Sequence, residues 1–373
     1  MKVVVVGCGF GGLEAACTLR KRAKELEVVM VDRKTRFDCQ PSYPELLSGK
    51  VIPEGISSDL NHFATKIGAE FIHGEVVNID FRAKKVKTDA TAGGKERDTP
   101  YDFLLLAIGA EQTFFGIPGA EEHSCSINTL KNAIATKNAL DKLDPAKENV
   151  ILVIGAGLTG IEVAGELVDY FMDRKAPVRI YLVEMMPRIL PAFPKENVAT
   201  HVSKFLSERG VEILTETAVQ EVNERKIIFK GGRELPYDLI IWTAGIKPNR
   251  LLENLDIAKV KGWLKVDPYL RVEGMDDVFA VGDTTFFEHE GLRSGQNIEE
   301  AVGQGKIAAE NIIRTIRGKK LKMYSPKNTI QAPRAFISLG ADKAVIYVSG
   351  MIFKVFAYRL KKVVEHRYMR GFR

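Results

Sequence analysis

A strand, a glycine turn and a helix occur twice in this chain, at a constant offset of 148 residues. The first copy is Lys2-Val-Val-Val-Val-Gly7-Cys8-Gly9-Phe10-Gly11-Gly12, with a helix expected over Leu13 to Arg22. The second is Val150-Ile-Leu-Val-Ile-Gly155-Ala-Gly157-Leu-Thr-Gly160-Ile-Glu162. Runs of β-branched residues read as strands covered on both faces, as in the middle of a parallel sheet. In each G-x-G-x-x-G run the first glycine (Gly7, Gly155) permits the tight turn out of the strand. The second (Gly9, Gly157) lets backbone approach a pyrophosphate, and the third (Gly12, Gly160) lets helix and strand pack closely. The helix N-terminus then offers free N–H groups and a positive dipole end to phosphate.

A glycine-rich turn gains meaning from its context. Strand Glu27 to Val31 ends at Asp32, 25 residues after Gly7, and strand Val178 to Val183 ends at Glu184. An acid at that place accepts a hydrogen bond from an adenosine ribose. Glu184 suits a free ribose 2′-hydroxyl and repels a 2′-phosphate, which favours NADH over NADPH; Arg188, close by, is the competing feature. Tyr101 to Gly109 and Leu239 to Gly245 are hydrophobic strands that end on glycine, where backbone passes close to a ligand. A third signature, Asp277-Val-Phe-Ala-Val-Gly282-Asp283, puts a carboxylate at the end of a short buried strand, where it can bind a polyol such as a flavin ribityl chain. A helix over Asn297 to Arg317 is expected to begin above it. Two dinucleotide sites in one chain have a simple chemical reading: one holds a flavin, the other a nicotinamide, and hydride passes between them.

The expected fold is therefore α/β, with two Rossmann-like dinucleotide-binding domains. Residues 1–112 and 250–325 form one of them, and 113–249 form the inserted second, with a crossing near Gly116 to Pro118. Residues 326–373 add a small C-terminal α+β segment. Further expectations are a loop over Arg33 to Gly49, a helix over 59–68, strands at Phe71 to Asp80 and Lys85 to Asp89, and a turn at Gly93-Gly94. The length of 373 residues suits two or three domains.

No run of about 18 apolar residues exists, so no transmembrane helix is expected. The glycine-rich start lacks a cleavage site and is needed as a core strand, so a cytoplasmic protein is expected. The four cysteines, Cys8, Cys17, Cys39 and Cys125, form no C-x-x-C pair and no metal-ligand spacing, so no metal site is expected. They suit a reducing compartment. Buried, inert thiols are the favoured reading, with Cys39 the one placed in a suitable loop for redox work.

From Met351 to Arg373 seven basic residues face one acid, Glu365, which accounts for the whole formal net charge of +6. A local basic tail implies a local anionic partner and no nucleic-acid-binding body. The tail reads as an amphipathic helix from Met351 to Val364. Ile352, Phe356, Leu360, Val363 and the stem of Arg359 share one stripe, with Lys354, Lys361 and Lys362 elsewhere. Such a helix suits an anionic membrane interface. The alternative is docking on its own domain or on a second copy in a homodimer. A hairpin, Ala335 to Leu339 with Lys343 to Val348, is expected to pack it to the body.

These motifs, in this order over residues 1 to 320, resemble the two-dinucleotide-fold flavoproteins of pyridine nucleotide-disulfide reductase type, and within them the type II NADH:quinone oxidoreductases. Gln40-Pro41-Ser-Tyr-Pro44-Glu-Leu-Leu-Ser-Gly49 resembles that family's loop near the flavin, Gly157 to Glu162 its second glycine turn, and the C-terminus its membrane-docking tail. The resemblance implies a peripheral protein on the inner face of the cell membrane that takes hydride from NADH and passes two electrons to a quinone. It implies FAD contacts at Gly7, Gly9, Phe10, Gly11, Gly12, Asp32, Arg33, Pro41, Val77, Ala107, Gly109, Gly282 and Asp283. NADH contacts are implied at Gly155, Gly157, Gly160, Glu184 and Gly245, with Glu162 and Gln304 catalytic near the quinone. The sequence departs from the family's paired glutamines, reading Gly303-Gln304. The cysteines of the related sulfide:quinone oxidoreductases are missing at Leu158-Thr159 and at Ser294 to Gln296. Other readings are a sulfide:quinone oxidoreductase, a soluble NAD(P)H-dependent reductase of a disulfide, oxygen or a redox protein, and a flavin-bound sensor with little turnover.

Overall fold

The computed structural model describes residues 1–89 and 96–372; the expected turn at Gly93-Gly94 and the final Arg373 lie outside the described residues. In chain order, the elements that position the site are β1 (Lys2–Val6), α1 (Phe10–Arg22), β2 (Glu27–Asp32), α2 (Tyr43–Ser48), β3 (Glu70–His73), β4 (Phe103–Leu106) and β5 (Cys125–Ser126). There follow β6 (Asn149–Ile154), α3 (Leu158–Arg174), β7 (Val178–Val183), β8 (Val211–Leu214), β9 (Leu239–Trp242), β10 (Val278–Ala280) and α4 (Ile298–Ile316). The chain ends with β11 (Arg334–Gly340), β12 (Lys343–Val348), β13 (Met351–Phe353) and α5 (Ala357–Arg370).

The valines of β1 form the middle of a five-stranded parallel sheet of order β10-β4-β1-β2-β3. Val3 to Val6 are all buried, which is why the strand carries no polar alternation. β6 repeats this role in a second parallel sheet, β5-β9-β6-β7-β8. Each sheet is followed by a three-stranded antiparallel sheet, Glu75–Asp80 with Lys85–Asp89 and Arg97–Pro100 in one case, Val219–Val222 with Lys226–Phe229 and Glu234–Pro236 in the other. The expected single strand Phe71 to Asp80 is broken at Gly74, whose N–H donates to the Asp32 carbonyl and sends the chain into the second layer. The chain passes between the sheets through Ala110–Gln112 and returns through Ile246–Pro248, which pair antiparallel.

The C-terminal segment departs from the expected helix start. Ser349 and Gly350 both take positive φ, +52° and +83°, and make the tight turn of a hairpin. Met351–Phe353 therefore continues the sheet as its third strand, paired with β12. The helix begins only at Ala357. Among the described residues no helix is long and apolar enough to cross a membrane.

Candidate active site

Both glycine turns are built around missing side chains. Gly7 has φ +95°, and a Cβ on Gly12 would stand 1.9 Å from the Gly7 carbonyl oxygen. Gly155 has φ +97°, and a Cβ on Gly160 would stand 1.8 Å from the Gly155 oxygen. Among the described residues nothing beyond the neighbouring backbone lies within 4 Å of a Cβ built on Gly9 or Gly157, so each second glycine faces open space. Neither α1 nor α3 has a side-chain cap or an acid in its first turn, so their leading N–H groups stay available to an anion.

The repeat extends to hydrogen bonds. Asp32 accepts from the N–H of Cys8 (2.6 Å) and of Lys34 (2.8 Å). Glu184 accepts from the N–H of Ala156 (2.9 Å) and of Met186 (2.9 Å). In both units the acid ties the glycine turn to the loop after its own strand, which leaves each carboxylate oxygen a second acceptor position. The Arg188 guanidinium is turned inward and donates to the carbonyls of Leu190 and Phe193, so it does not present a free cation beside Glu184.

Around the first turn, Ala107 lies directly beneath Gly7, whose Cβ would meet the Ala107 carbonyl oxygen at 2.3 Å. Gly11 packs against α4, where a Cβ on Gly305 would stand 2.2 Å from the Gly11 oxygen. The Phe10 ring turns away into an aromatic cluster, 5.1 Å from both Phe37 and Tyr368. Gly109 donates its N–H to Thr284 Oγ1 (2.8 Å), joining the end of β4 to the Gly282-Asp283 turn. Arg33 lies 3.8 Å from Glu75, and Val77 is exposed at the register shift between Val76 and Asn78. Among the described residues the Asp283 carboxylate has no hydrogen-bond or ion-pair partner, and desolvation alone pushes it up to about 6. An unpartnered acid beside a pyrophosphate-sized cradle fits a ligand with both a dinucleotide backbone and hydroxyls, as FAD has.

Gln304 does not face this space. It is buried, its Oε1 accepts from the Gly282 N–H (2.7 Å), and its Nε2 donates to Ser294 Oγ (2.9 Å). With both amide ends engaged, it positions the Gly282 turn. Glu300, one turn earlier, is equally enclosed, accepting from Tyr324, Ser294 and the N–H groups of Lys327 and Asn328, all at 2.8 Å.

Glu162, on the first turns of α3, sits at the centre of a buried charged cluster that sequence reading does not find. Its Oε1 accepts from the Ser338 N–H on β11 (3.0 Å) and lies 3.2 Å from Lys361 Nζ on α5. Lys361, which the sequence places off the apolar stripe, is 4% exposed. It also approaches Glu365 (3.5 Å) and Glu45 on α2 (3.9 Å), and donates to the Pro41 carbonyl (3.3 Å). Lys362 pairs with Glu45 and Glu365. Burial pushes the Glu162 carboxyl up; Lys361 and the Ser338 N–H draw it only part of the way back. Burial also works against a charged Lys361, but Glu162, Glu365 and Glu45 outweigh it and hold the ammonium above the usual lysine range. Pro41, Glu45, Glu162 and the tail thus meet at one place, next to the aromatic cluster that Tyr368 and Phe372 complete.

The four thiols are free, and burial pushes Cys17 and Cys39 up to about 11 and raises Cys8 and Cys125, so none is a ready thiolate. Among the described residues no cluster of three or more potential ligands could hold a metal ion.

Residues 1–305 match a family described as pyridine nucleotide-disulphide oxidoreductase. The chain is 28% identical to a type II NADH:quinone oxidoreductase of Staphylococcus saprophyticus subsp. saprophyticus, over 98% of this chain and 94% of that protein. Among solved structures it shares the fold of the sulfide:quinone oxidoreductase of Aquifex aeolicus, with a TM-score of 0.86 and 21% identity over 100% of this chain and 91% of that one. It likewise shares the fold of NDH2 from Plasmodium falciparum in complex with NADH, with a TM-score of 0.84 and 17% identity over 100% and 97%. With four fifths of its length matched and both glycine cradles built, the chain belongs to the pyridine nucleotide-disulphide oxidoreductase family.

Proposed function

We propose that this protein is an FAD-dependent NADH:quinone oxidoreductase working at a membrane surface. Residues 1–112 and 250–325 hold FAD, with the pyrophosphate on the Gly7 to Gly12 turn, the adenosine ribose on Asp32 and the ribityl hydroxyls on Asp283. Arg33 and Val77 flank the adenosine end, and Pro41, Ala107, Gly109 and Gly282 bring backbone to the ring system. Residues 113–249 hold NADH, with Gly155, Gly157 and Gly160 on the pyrophosphate, Glu184 on the ribose and Gly245 on the nicotinamide side. Bound flavin would supply the two-electron chemistry between NADH and quinone.

The observation that carries the reading is the meeting of Glu162 with Lys361. A dinucleotide-site helix, the Pro41 loop and the basic tail converge there on a desolvated carboxyl of raised pKa. A quinone that takes up a hydride equivalent needs one further proton, which Glu162 would deliver while Lys361 holds the resulting carboxylate. Gln304 supports the Gly282 turn from behind.

The tail reaches the membrane with the face it does not use for docking. Val355 (79% exposed), Phe356, Leu360, Val363 and Val364 point outward with Arg359, Arg367 and Arg370. Apolar side chains rimmed by arginines suit the interface of an anionic leaflet, here the inner face of the cell membrane. Residues 326–373 are thus both a cover for the active site and a foot on the membrane, whether the protein acts as a monomer or a homodimer.

Steady-state turnover with a soluble quinone tests the function. NADH consumption that requires quinone supports it, and sulfide-driven quinone reduction without NADH use would replace it.

A further inference from the structure

The loop that leads from the first sheet to the second carries an aromatic side chain that packing does not explain. Phe115 is 62% exposed. Its backbone is left-handed at φ +55°, a conformation that costs free energy for a bulky residue and collects at functional sites. The surroundings hold it there. Thr113 Oγ1 accepts the Phe115 N–H (3.0 Å), the Thr113 carbonyl accepts from the Trp242 indole (3.1 Å), and the Phe114 ring packs on Trp242 at 5.5 Å. The turn is fixed while the Phe115 ring projects.

The ring lands on Gly245. A Cβ there would stand 2.2 Å from Phe115 Cζ and 2.7 Å from Cε2. Gly245 follows the carboxyl end of β9, which neighbours β6 on the side opposite β7. Ligands of such sheets lie across the strand ends where the order reverses. With adenosine on Glu184 after β7 and pyrophosphate on the turn after β6, the nicotinamide half leaves on the β9 side. From Gly245 the ribbon Ile246–Pro248 pairs with Ala110–Gln112, directly after Gly109 and its bond to Thr284. Phe115 therefore stands on the route between the two cradles.

We propose that Phe115 is a nicotinamide-side binding residue for NADH, its ring leaving Gly245 to pack against the nicotinamide ribose half. The proposal rests on the NADH site described above and adds the surface that the reactive half of the dinucleotide uses.

The test uses the flavin-containing full chain under anaerobic conditions, with flavin bleaching followed at increasing NADH. Phe115→Gly removes the ring and suits a positive φ, so folding is not compromised. The expected result is a rise of about tenfold in the half-saturating NADH concentration, with Phe115→Tyr close to wild type. ADP-ribose, which lacks the nicotinamide, should compete equally well against both forms. An unchanged half-saturating NADH concentration in Phe115→Gly overturns the proposal, and so does an equal loss of ADP-ribose affinity. A wild-type protein that NADH fails to bleach removes the NADH site itself; normal wild-type bleaching with an unaltered Phe115→Gly response removes only the role of Phe115.

Discussion

Lys361 Nζ lies 3.2 Å from Glu162 Oε1 and joins the last helix of the chain to the helix of the second glycine turn. Lys361→Met would leave the buried Glu162 without its ammonium partner, while Glu45 and Glu365 keep Lys362. Removing one partner of a buried pair costs roughly 3–5 kcal/mol. The variant should unfold at lower urea concentration, and the Glu162→Gln/Lys361→Met double variant should recover part of the loss. Both single variants should slow flavin reoxidation by quinone while leaving reduction by NADH close to wild type. Equal slowing of the two half-reactions would place the pair outside the quinone step.

Asp283 should trade stability for binding. Its folded-state pKa of about 6 lies above the ordinary carboxylate value, so the folded state holds the extra proton between those limits. Stability is then lost as pH rises through about 6. Asp283→Asn should raise the melting temperature of flavin-stripped protein most at pH 8, about half as much at pH 5 and least below about pH 4, and weaken FAD. A lower melting temperature at pH 8 would mean that the carboxylate has a favourable partner.

Glu184→Ala should weaken NADH binding by about 1–2 kcal/mol, the worth of a hydrogen bond to a charged group. It should not create NADPH activity, because Arg188 is committed to the carbonyls of Leu190 and Phe193. Efficient NADPH turnover by this variant would show that Arg188 leaves its loop.

Membrane contact should be separable from folding on α5. Deleting the tail is a poor test, since Met369 and Phe372 belong to the core and Lys361 to the charged cluster. Leu360→Ser with Val363→Ser removes only outward-facing apolar surface, where each side chain is worth up to roughly 1.5–3 kcal/mol when buried. Binding to anionic vesicles should fall at least about tenfold, with activity on a soluble quinone retained. Undiminished vesicle binding would assign the membrane to another surface.

The parallel sheets were legible because two local signals coincide, continuous valine-rich runs and glycines at fixed spacing. The Glu162–Lys361 pair was not. An amphipathic stripe sorts side chains by polarity and sends lysines to solvent, because a charged group is almost never buried unless paired. Its partners lie on α2 and α3, and no local pattern reports them. The start of α5 was misplaced for a related reason: Met351–Phe353 fits a helix stripe and a strand equally well, and the Ser349-Gly350 turn decides for the strand. Gln304 was taken from the resemblance to the family's paired glutamines, which does not reveal a side chain's partners, here Gly282 and Ser294.

The most direct measurement is anaerobic flavin absorbance on one purified sample, with NADH added first and a soluble quinone second. The account predicts fast bleaching by NADH and fast recovery on quinone. Bleaching without recovery, or no bleaching by NADH at all, would contradict it.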